Sequence, residues 1–234
     1  MLYKAPVLMK NNVETFKKSI EVWNIRLPDH RNDTALCRSL LSGEELERAA
    51  KFFKPADAEG FILGRGLLRR ILADCLNTRP SWLEFRRTAL GKPFLEESNG
   101  LEFNVSHSRD RLLIAVTAGR AVGVDIEFRR SGLAMESIAK RWFAPEEQMF
   151  FGAAENPADR FFEIWAKKEA YVKALGAGIY KDLNTFAVPL GGKPFSPAVG
   201  QDGQWFFQTL KIDSGYAAAV VSEVPPVPVN LRKF

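Results

Sequence analysis

Hydrophobic positions recur in two patterns along the chain. Between residues 57 and 77, Phe61, Leu63, Leu67, Leu68, Ile71, Leu72 and Leu76 follow the 3.6-residue period of a helix. Helices are also predicted at 43–53, 135–142, 145–152 and 158–175. Short apolar or alternating runs bounded by turn residues predict strands at 82–87, 101–106, 111–117, 121–128, 184–188, 204–211 and 216–222. The tail from Pro225 to Pro228 reads as extended, a surface strap or frayed end, because proline fixes φ and has no N–H.

These elements repeat. Ser42-Gly43-Glu44-Glu45 is echoed by Ala144-Pro145-Glu146-Glu147, and Pro55-Ala56-Asp57 by Pro157-Ala158-Asp159. Gly91-Lys92-Pro93-Phe94 returns as Gly192-Lys193-Pro194-Phe195, with Phe85 and Phe186 ahead of each turn. An ordered series of echoes about one hundred residues apart points to a duplicated half-domain. Helix mixed with antiparallel strand predicts an α+β fold, a pseudo-twofold repeat of two similar half-domains. Each half would pack helices on a small, largely antiparallel sheet, with the halves at 1–119 and 120–234.

Composition narrows the picture. Of 234 residues, 46% are hydrophobic and 26% charged, as in a core-forming globular chain. The net charge is +5, and nineteen of the 33 cations lie in residues 1–119. That bias suits phosphates or an acidic partner but lacks the dense basic stripe of a nucleic-acid binder. Two cysteines, Cys37 and Cys75, and two histidines, His30 and His107, are too few and too scattered for a zinc site or disulfide scaffold. No run reaches the ~20 apolar residues of a membrane span, and the first residues lack a signal-peptide pattern. A cytoplasmic protein is expected.

Three segments carry chemistry. In 121–128, Val122, Val124, Ile126 and Phe128 share one strand face, and Gly123, Asp125 and Glu127 the other. Two carboxylates so spaced offer hard oxygen ligands for Mg²⁺; a solvated strand face has the same pattern. Gly123 leaves room for a bulky group to approach. On the 158–175 helix, Trp165, Glu169 and Lys173 lie along one face. Glu169 can join a metal site and Lys173 meet phosphate oxygens, or the two form an ordinary helix ion pair. Asn104-Val105-Ser106-His107-Ser108 ends a strand, where His107 can donate to an anion and Ser and Asn also suit a plain turn. Lys92 is read similarly, as a turn residue or a phosphate lysine. P-loop, dinucleotide, zinc-protease and nucleophile-elbow motifs are absent, which leaves metal-and-cation phosphoryl chemistry.

Together, from about Ser42 to Ile179, these segments resemble the 4′-phosphopantetheinyl transferases, in the larger, monomeric, two-half (Sfp-type) class that activates peptide synthetases. The resemblance rests on Gly91-Lys92-Pro93, Asn104 to Ser108, Val122 to Glu127, Phe143 to Glu147, and Trp165 to Lys173 with Gly176. It implies transfer of the phosphopantetheine arm of coenzyme A to a serine of an apo acyl or peptidyl carrier protein, with release of 3′,5′-ADP (EC 2.7.8.7). Asp125, Glu127 and Glu169 match the family's ligands for Mg²⁺, with Mn²⁺ as a substitute. Lys173 and Lys92 match phosphate contacts, and His107, beside Ser106, the histidine near the adenosine 3′-phosphate. Glu147 matches a glutamate given a supporting or water-positioning role. Glu169, or a water held by the metal, is the implied base. Ala166 stands where a small hydroxyl or thiol residue is usual, Gly60 where an arginine is frequent, and Glu45 where some relatives carry a cation. Arg65, Arg69 and the Arg48/Lys51 pair remain as coenzyme contacts. The implied partner is an acidic, helical carrier, with no nucleic acid and no membrane. Rival readings are another Mg²⁺-dependent phosphohydrolase and a non-enzymatic basic binding module.

Overall fold

A computed structural model describes residues 13–176, 182–191, 195–196 and 204–234. In chain order its elements are α1 (Val13–Phe16), β1 (Ile20–Arg26), α2 (Thr34–Ser39), α3 (Gly43–Ala50) and α4 (Pro55–Leu76). There follow β2 (Phe85–Arg87), β3 (Pro93–Leu95), β4 (Leu101–Ser108), β5 (Arg111–Ala118) and β6 (Val122–Phe128). Next come α5 (Met135–Trp142), α6 (Pro145–Gly152) and α7 (Pro157–Leu175). The chain closes with β7 (Phe195–Ser196), β8 (Trp205–Thr209), β9 (Tyr216–Glu223) and β10 (Val229–Lys233).

Two helices dominate, and both begin with proline, whose fixed φ and missing N–H suit a first helical turn. Both end on a left-handed residue, Asn77 (φ 52°) after α4 and Gly176 (φ 67°) after α7. The strands form two four-stranded sheets, β10-β1-β5-β4 and β6-β9-β8-β7, and β2 pairs with β3 in a separate hairpin. α4 covers one face of the first sheet through Trp23, Ile25, Leu67, Leu68 and Ile71. α7 covers one face of the second through Ile164, Tyr171, Phe207 and Val221. The remaining faces share a third core of Ile20, Val22, Leu113, Ala115, Val122, Val124, Ile126 and Val220. The architecture is thus α+β and two-part, with each long helix outside its own sheet and apolar side chains between the sheets.

The structure corrects or extends the expectations at several points. Residues 184–188 form no strand; Leu183–Thr185 is a short 3₁₀ turn whose neighbouring backbone groups bond to buried side chains instead. Residues 225–228 lie outside any helix or strand, as a surface strap would, and lead into β10, which the periodicity did not predict; β10 lies parallel to β1, and Glu21 accepts hydrogen bonds from Ser19, Asn230 and Arg232. The last strand therefore completes the first sheet, and sheet membership crosses the division at 119/120. β1 and α2 occupy a stretch for which the periodicity reading predicted nothing. The second Gly-Lys-Pro-Phe echo at 192–195 lies largely outside the described residues. Among the described residues, no helix is long and apolar enough to cross a membrane.

Candidate active site

β6 is an edge strand, so alternate N–H groups point away from its partner β9. Side chains of β4 accept them. Asn104 Oδ1 takes Val124 N–H at 2.9 Å, Ser106 Oγ takes Ile126 N–H at 3.3 Å, and Ser108 Oγ takes Phe128 N–H at 3.0 Å. Three small polar residues at period 2 thus satisfy an edge that would otherwise leave buried donors unpaired. They also lock the two sheets in register.

The opposite face of β6 meets α7. A Cβ on Gly123 would lie 2.0 Å from Ala170 O and 2.4 Å from Ala174 N. The space at Gly123 therefore admits the α7 backbone and not a ligand, correcting the sequence reading. That close approach brings Glu169 and Lys173, one turn apart on α7, against Asp125 and Glu127. Lys173 Nζ lies 2.6 Å from Asp125 Oδ1 and donates to Ser106 Oγ at 2.8 Å. Ser106 Oγ in turn donates to Asp125 Oδ1 at 2.8 Å.

The electrostatics are those of crowded anions. Burial and the Asp125 charge push Glu127 up to about 7; Glu169 adds to the rise and Lys173 opposes it. Burial and Asp125 likewise raise Glu169. Asp125 is almost fully buried, and its Oδ2 has no hydrogen-bond partner. A buried carboxylate oxygen without a donor is costly, and a divalent cation would meet that need. Among the described residues, no three His, Cys, Asp or Glu side chains are gathered as a metal-binding group; Lys173 supplies the positive charge at Asp125. The oxygen-only donor set and the orphaned Oδ2 nonetheless fit a hard cation.

The other predicted residues lie elsewhere. His107, Arg48 and Arg65 line a cleft of about 580 Å³ between α4 and the β4–β5 turn, with Gly60, Gly64 and Phe61. Arg65 is committed to Glu45, which also receives Arg69. Lys92 sits where the halves meet, its Nζ donating to Ala174 O (3.1 Å) and Val122 O (3.4 Å). Its ammonium neutralises the C-terminal turn of α7, a favourable place for a cation, and burial lowers its pKa.

Glu147 is not among the clustered carboxylates. It is fully buried, 2.7 Å from Lys168 Nζ, and accepts Ala144 N–H at 2.7 Å and Val188 N–H at 2.8 Å. Lys168 also donates to Leu183 O and Phe186 O, at 2.6 and 2.7 Å. Burial raises Glu147 and lowers Lys168, each held back by the other's charge. With its oxygens so occupied, Glu147 caps α6 and braces the 183–188 loop. Ala166 is packed in the second core, where its lack of a polar atom leaves nothing unsatisfied. The sequence reading took Asn104 only as a strand-end or turn residue and gave Lys168 and Arg109 no role of their own; burial of Lys168 and the place of Arg109 in the cleft are tertiary.

Comparison with known proteins identifies the family. Residues 121–221 match the 4′-phosphopantetheinyl transferase superfamily, and residues 28–119 match the 4′-phosphopantetheinyl transferase N-terminal family. The 4′-phosphopantetheinyl transferase HetI of Nostoc sp. is 35% identical over 89% of this chain and 90% of its own. The 4′-phosphopantetheinyl transferase Sfp of Bacillus subtilis is 28% identical, covering 82% and 87%. The L-aminoadipate-semialdehyde dehydrogenase-phosphopantetheinyl transferase of Mus musculus is 29% identical, covering 83% and 71%. The match spans both sheets and both long helices, and the chain belongs to the 4′-phosphopantetheinyl transferase superfamily.

Proposed function

We infer that the protein transfers the 4′-phosphopantetheine arm of coenzyme A to a serine of an apo carrier protein. The observation that carries the reading is the packing of β6 against α7, which sets Asp125 and Glu127 beside Glu169 and Lys173. Asp125, Glu127 and Glu169 would hold Mg²⁺, which when bound neutralises charge on the pyrophosphate. Lys173 holds its ammonium between Ser106 and Asp125 and can turn it toward a phosphate oxygen. The carrier serine Oγ attacks the phosphorus bearing the pantetheine arm; the P–O bond to the adenylate side breaks and 3′,5′-ADP leaves. Glu169, set beside Asp125 by α7, accepts the serine proton at its carboxylate. Ser106 orients both Lys173 and Asp125, while Glu147 and Lys92 hold the frame.

The +5 charge, concentrated in residues 1–119, suits an acidic helical carrier and the coenzyme phosphates. The protein acts as a cytoplasmic monomer in this reading, its first half contributing coenzyme contacts and its second the carboxylates. The test incubates the protein with coenzyme A, Mg²⁺ and a panel of apo carrier proteins, then weighs each carrier intact. A gain of one phosphopantetheine on at least one carrier is expected; no gain on any carrier overturns the reading.

A further inference from the structure

A cavity of about 640 Å³ at the C-terminal end of α4 contains none of the residues assigned to the transfer chemistry. Glu84, Glu96 and Glu97 line it against a single cation, Arg86. Arg86 is spent on Glu96 at 2.9 Å, and Glu84 and Glu97 form no ion pair among the described residues. α4 reaches the cavity at Leu76, so the negative end of a 22-residue helix adds charge of the same sign. On a chain of net charge +5 this is a local reversal. It stands sixteen residues along α4 from Gly60, about 24 Å at the helical rise per residue.

The hairpin beside the cavity sets out a row of side chains. β2 and β3 form a two-stranded sheet of their own. Phe85 and Leu95 pair in register and pack inward on the first core. Arg86 and Phe94 are the next pair, so they share the outward face. Glu84 and Glu96 continue that face at period 2, with Glu96 N–H donating to Glu84 O at 3.1 Å. Beyond Glu84 comes Trp82, 65% exposed, with the Arg79 guanidinium 4.8 Å from its ring centre. The ring thus already serves as a platform for a cation. Phe94 at the other end of the row is 39% exposed. Two uncovered aromatic rings flank a group of carboxylates that lacks counter-ions, an arrangement with apolar and charged surface left open to a partner.

We propose that this face docks an extended peptide segment of a partner protein, one that carries a lysine or arginine between two apolar side chains at alternate positions. The central cation enters the cavity between Glu84 and Glu97, and the apolar side chains cover Trp82 and Phe94. An extended chain brings every second side chain to one side, which matches the row on the hairpin. A free amine would meet the carboxylates and leave both rings bare. An acidic partner is repelled by the same carboxylates, so this docking surface is separate from the cluster on β6 and α7. The inference does not depend on the transfer reading.

The test is fluorescence anisotropy with a fluorescein-labelled heptapeptide carrying leucine, arginine and leucine at alternate positions and serine elsewhere. A second probe has glutamate in place of the arginine. The native protein is expected to bind the arginine probe saturably, and at least about tenfold more tightly than the glutamate probe. Trp82→Ala, a change at an exposed side chain, should weaken the arginine probe about tenfold. Glu84→Gln combined with Glu97→Gln should do the same, about tenfold. Phosphopantetheine transfer should stay at the native level in each variant and with the probe bound. No saturation by about 1 mM protein, equal affinity for the two probes, or native affinity in either variant overturns the proposal. Loss of transfer with the probe bound also overturns it, since the peptide would then sit on the catalytic face. A dimer in sedimentation that Trp82→Ala dissolves would assign the face to a second copy of the chain, and equally overturns it. A protein that binds the arginine probe as expected but modifies no carrier loses the transfer reading alone.

Discussion

β1 and β6 are the same strand in two halves, with opposite consequences. Both set alternate residues into the core between the sheets: Ile20 and Val22 from β1, Val122, Val124 and Ile126 from β6. Both face a long proline-started helix on the other side. At 102 residues' offset, Trp23 and Ile25 of β1 stand where Asp125 and Glu127 stand on β6. In the first half these positions are filled with apolar bulk against α4. In the second they present carboxylates to α7, whose Glu169 and Lys173 answer them. One frame serves as scaffold where the strand–helix interface is apolar, and as a chemical site where it is charged.

The supporting parts are shared. Glu45 of α3 and Glu147 of α6 each accept an N-cap N–H and pair with a basic residue of the long helix. Arg69 donates to Pro80 O and Leu83 O; Lys168 donates to Leu183 O and Phe186 O. In both halves one buried acid and one buried base tie a short helix, a long helix and the following loop together. Only the second half pairs this brace with a polar strand face.

The largest test of the contrast removes the polar face. Asp125→Ala should lower transfer about a thousandfold, the loss of several kcal/mol of charge stabilisation, while circular dichroism and the unfolding midpoint stay near native. Activity within tenfold of native would break the distinction between the halves. Next come the braces. Lys168→Met leaves Glu147 buried without a counter-ion and should lower the unfolding free energy by about 3–5 kcal/mol, read from urea titration. Arg69→Met should cost less, about 1–3 kcal/mol, because Arg65 still neutralises Glu45. Equal losses would show that the braces are not distinguished by their second cation.

Gly123→Ala probes the fit of helix to strand. A methyl pressed against the α7 backbone should cost about 1–3 kcal/mol and reduce transfer, because Glu169 and Lys173 move with the helix. A native melting curve with native activity would show that α7 can withdraw freely. The smallest effect is expected from Ser106→Ala. It removes an acceptor for Ile126 N–H and the link between Lys173 and Asp125, costing about 1 kcal/mol and about tenfold in rate. The same change in stability with no change in rate would make Ser106 a seam residue only.

Much of this was legible in the chain. Alternation in Val122–Phe128 put Asp125 and Glu127 on one face, and helical spacing put Glu169 and Lys173 on another. The helices predicted at 57–77 and 158–175 match α4 and α7 to within a few residues. Other features were readable but not read: Ile20, Val22, Trp23 and Ile25 make the short, largely apolar run of a strand buried on both faces. The 184–188 segment looked like a strand because its apolar residues are spaced for one. Its carbonyls and N–H groups instead serve Lys168 and Glu147, partners that no local pattern reveals. Val229–Lys233, three of its five residues polar, becomes a strand because β1 offers an open edge.

Local sequence thus determined which residue types lie together on each element, since side-chain period is a property of helix and strand themselves. It determined the duplicated order of elements and the supply of carboxylates and cations. Tertiary structure decided which of them meet. It placed α7 on Gly123, because only a missing Cβ lets two backbones come so close. It paired Glu147 with Lys168, because a fully buried carboxylate must find its charge and donors among immediate neighbours. It also brought Arg48 and Arg109, sixty-one residues apart in sequence, to one cleft; such encounters depend on how sheets and helices pack, which no single segment encodes.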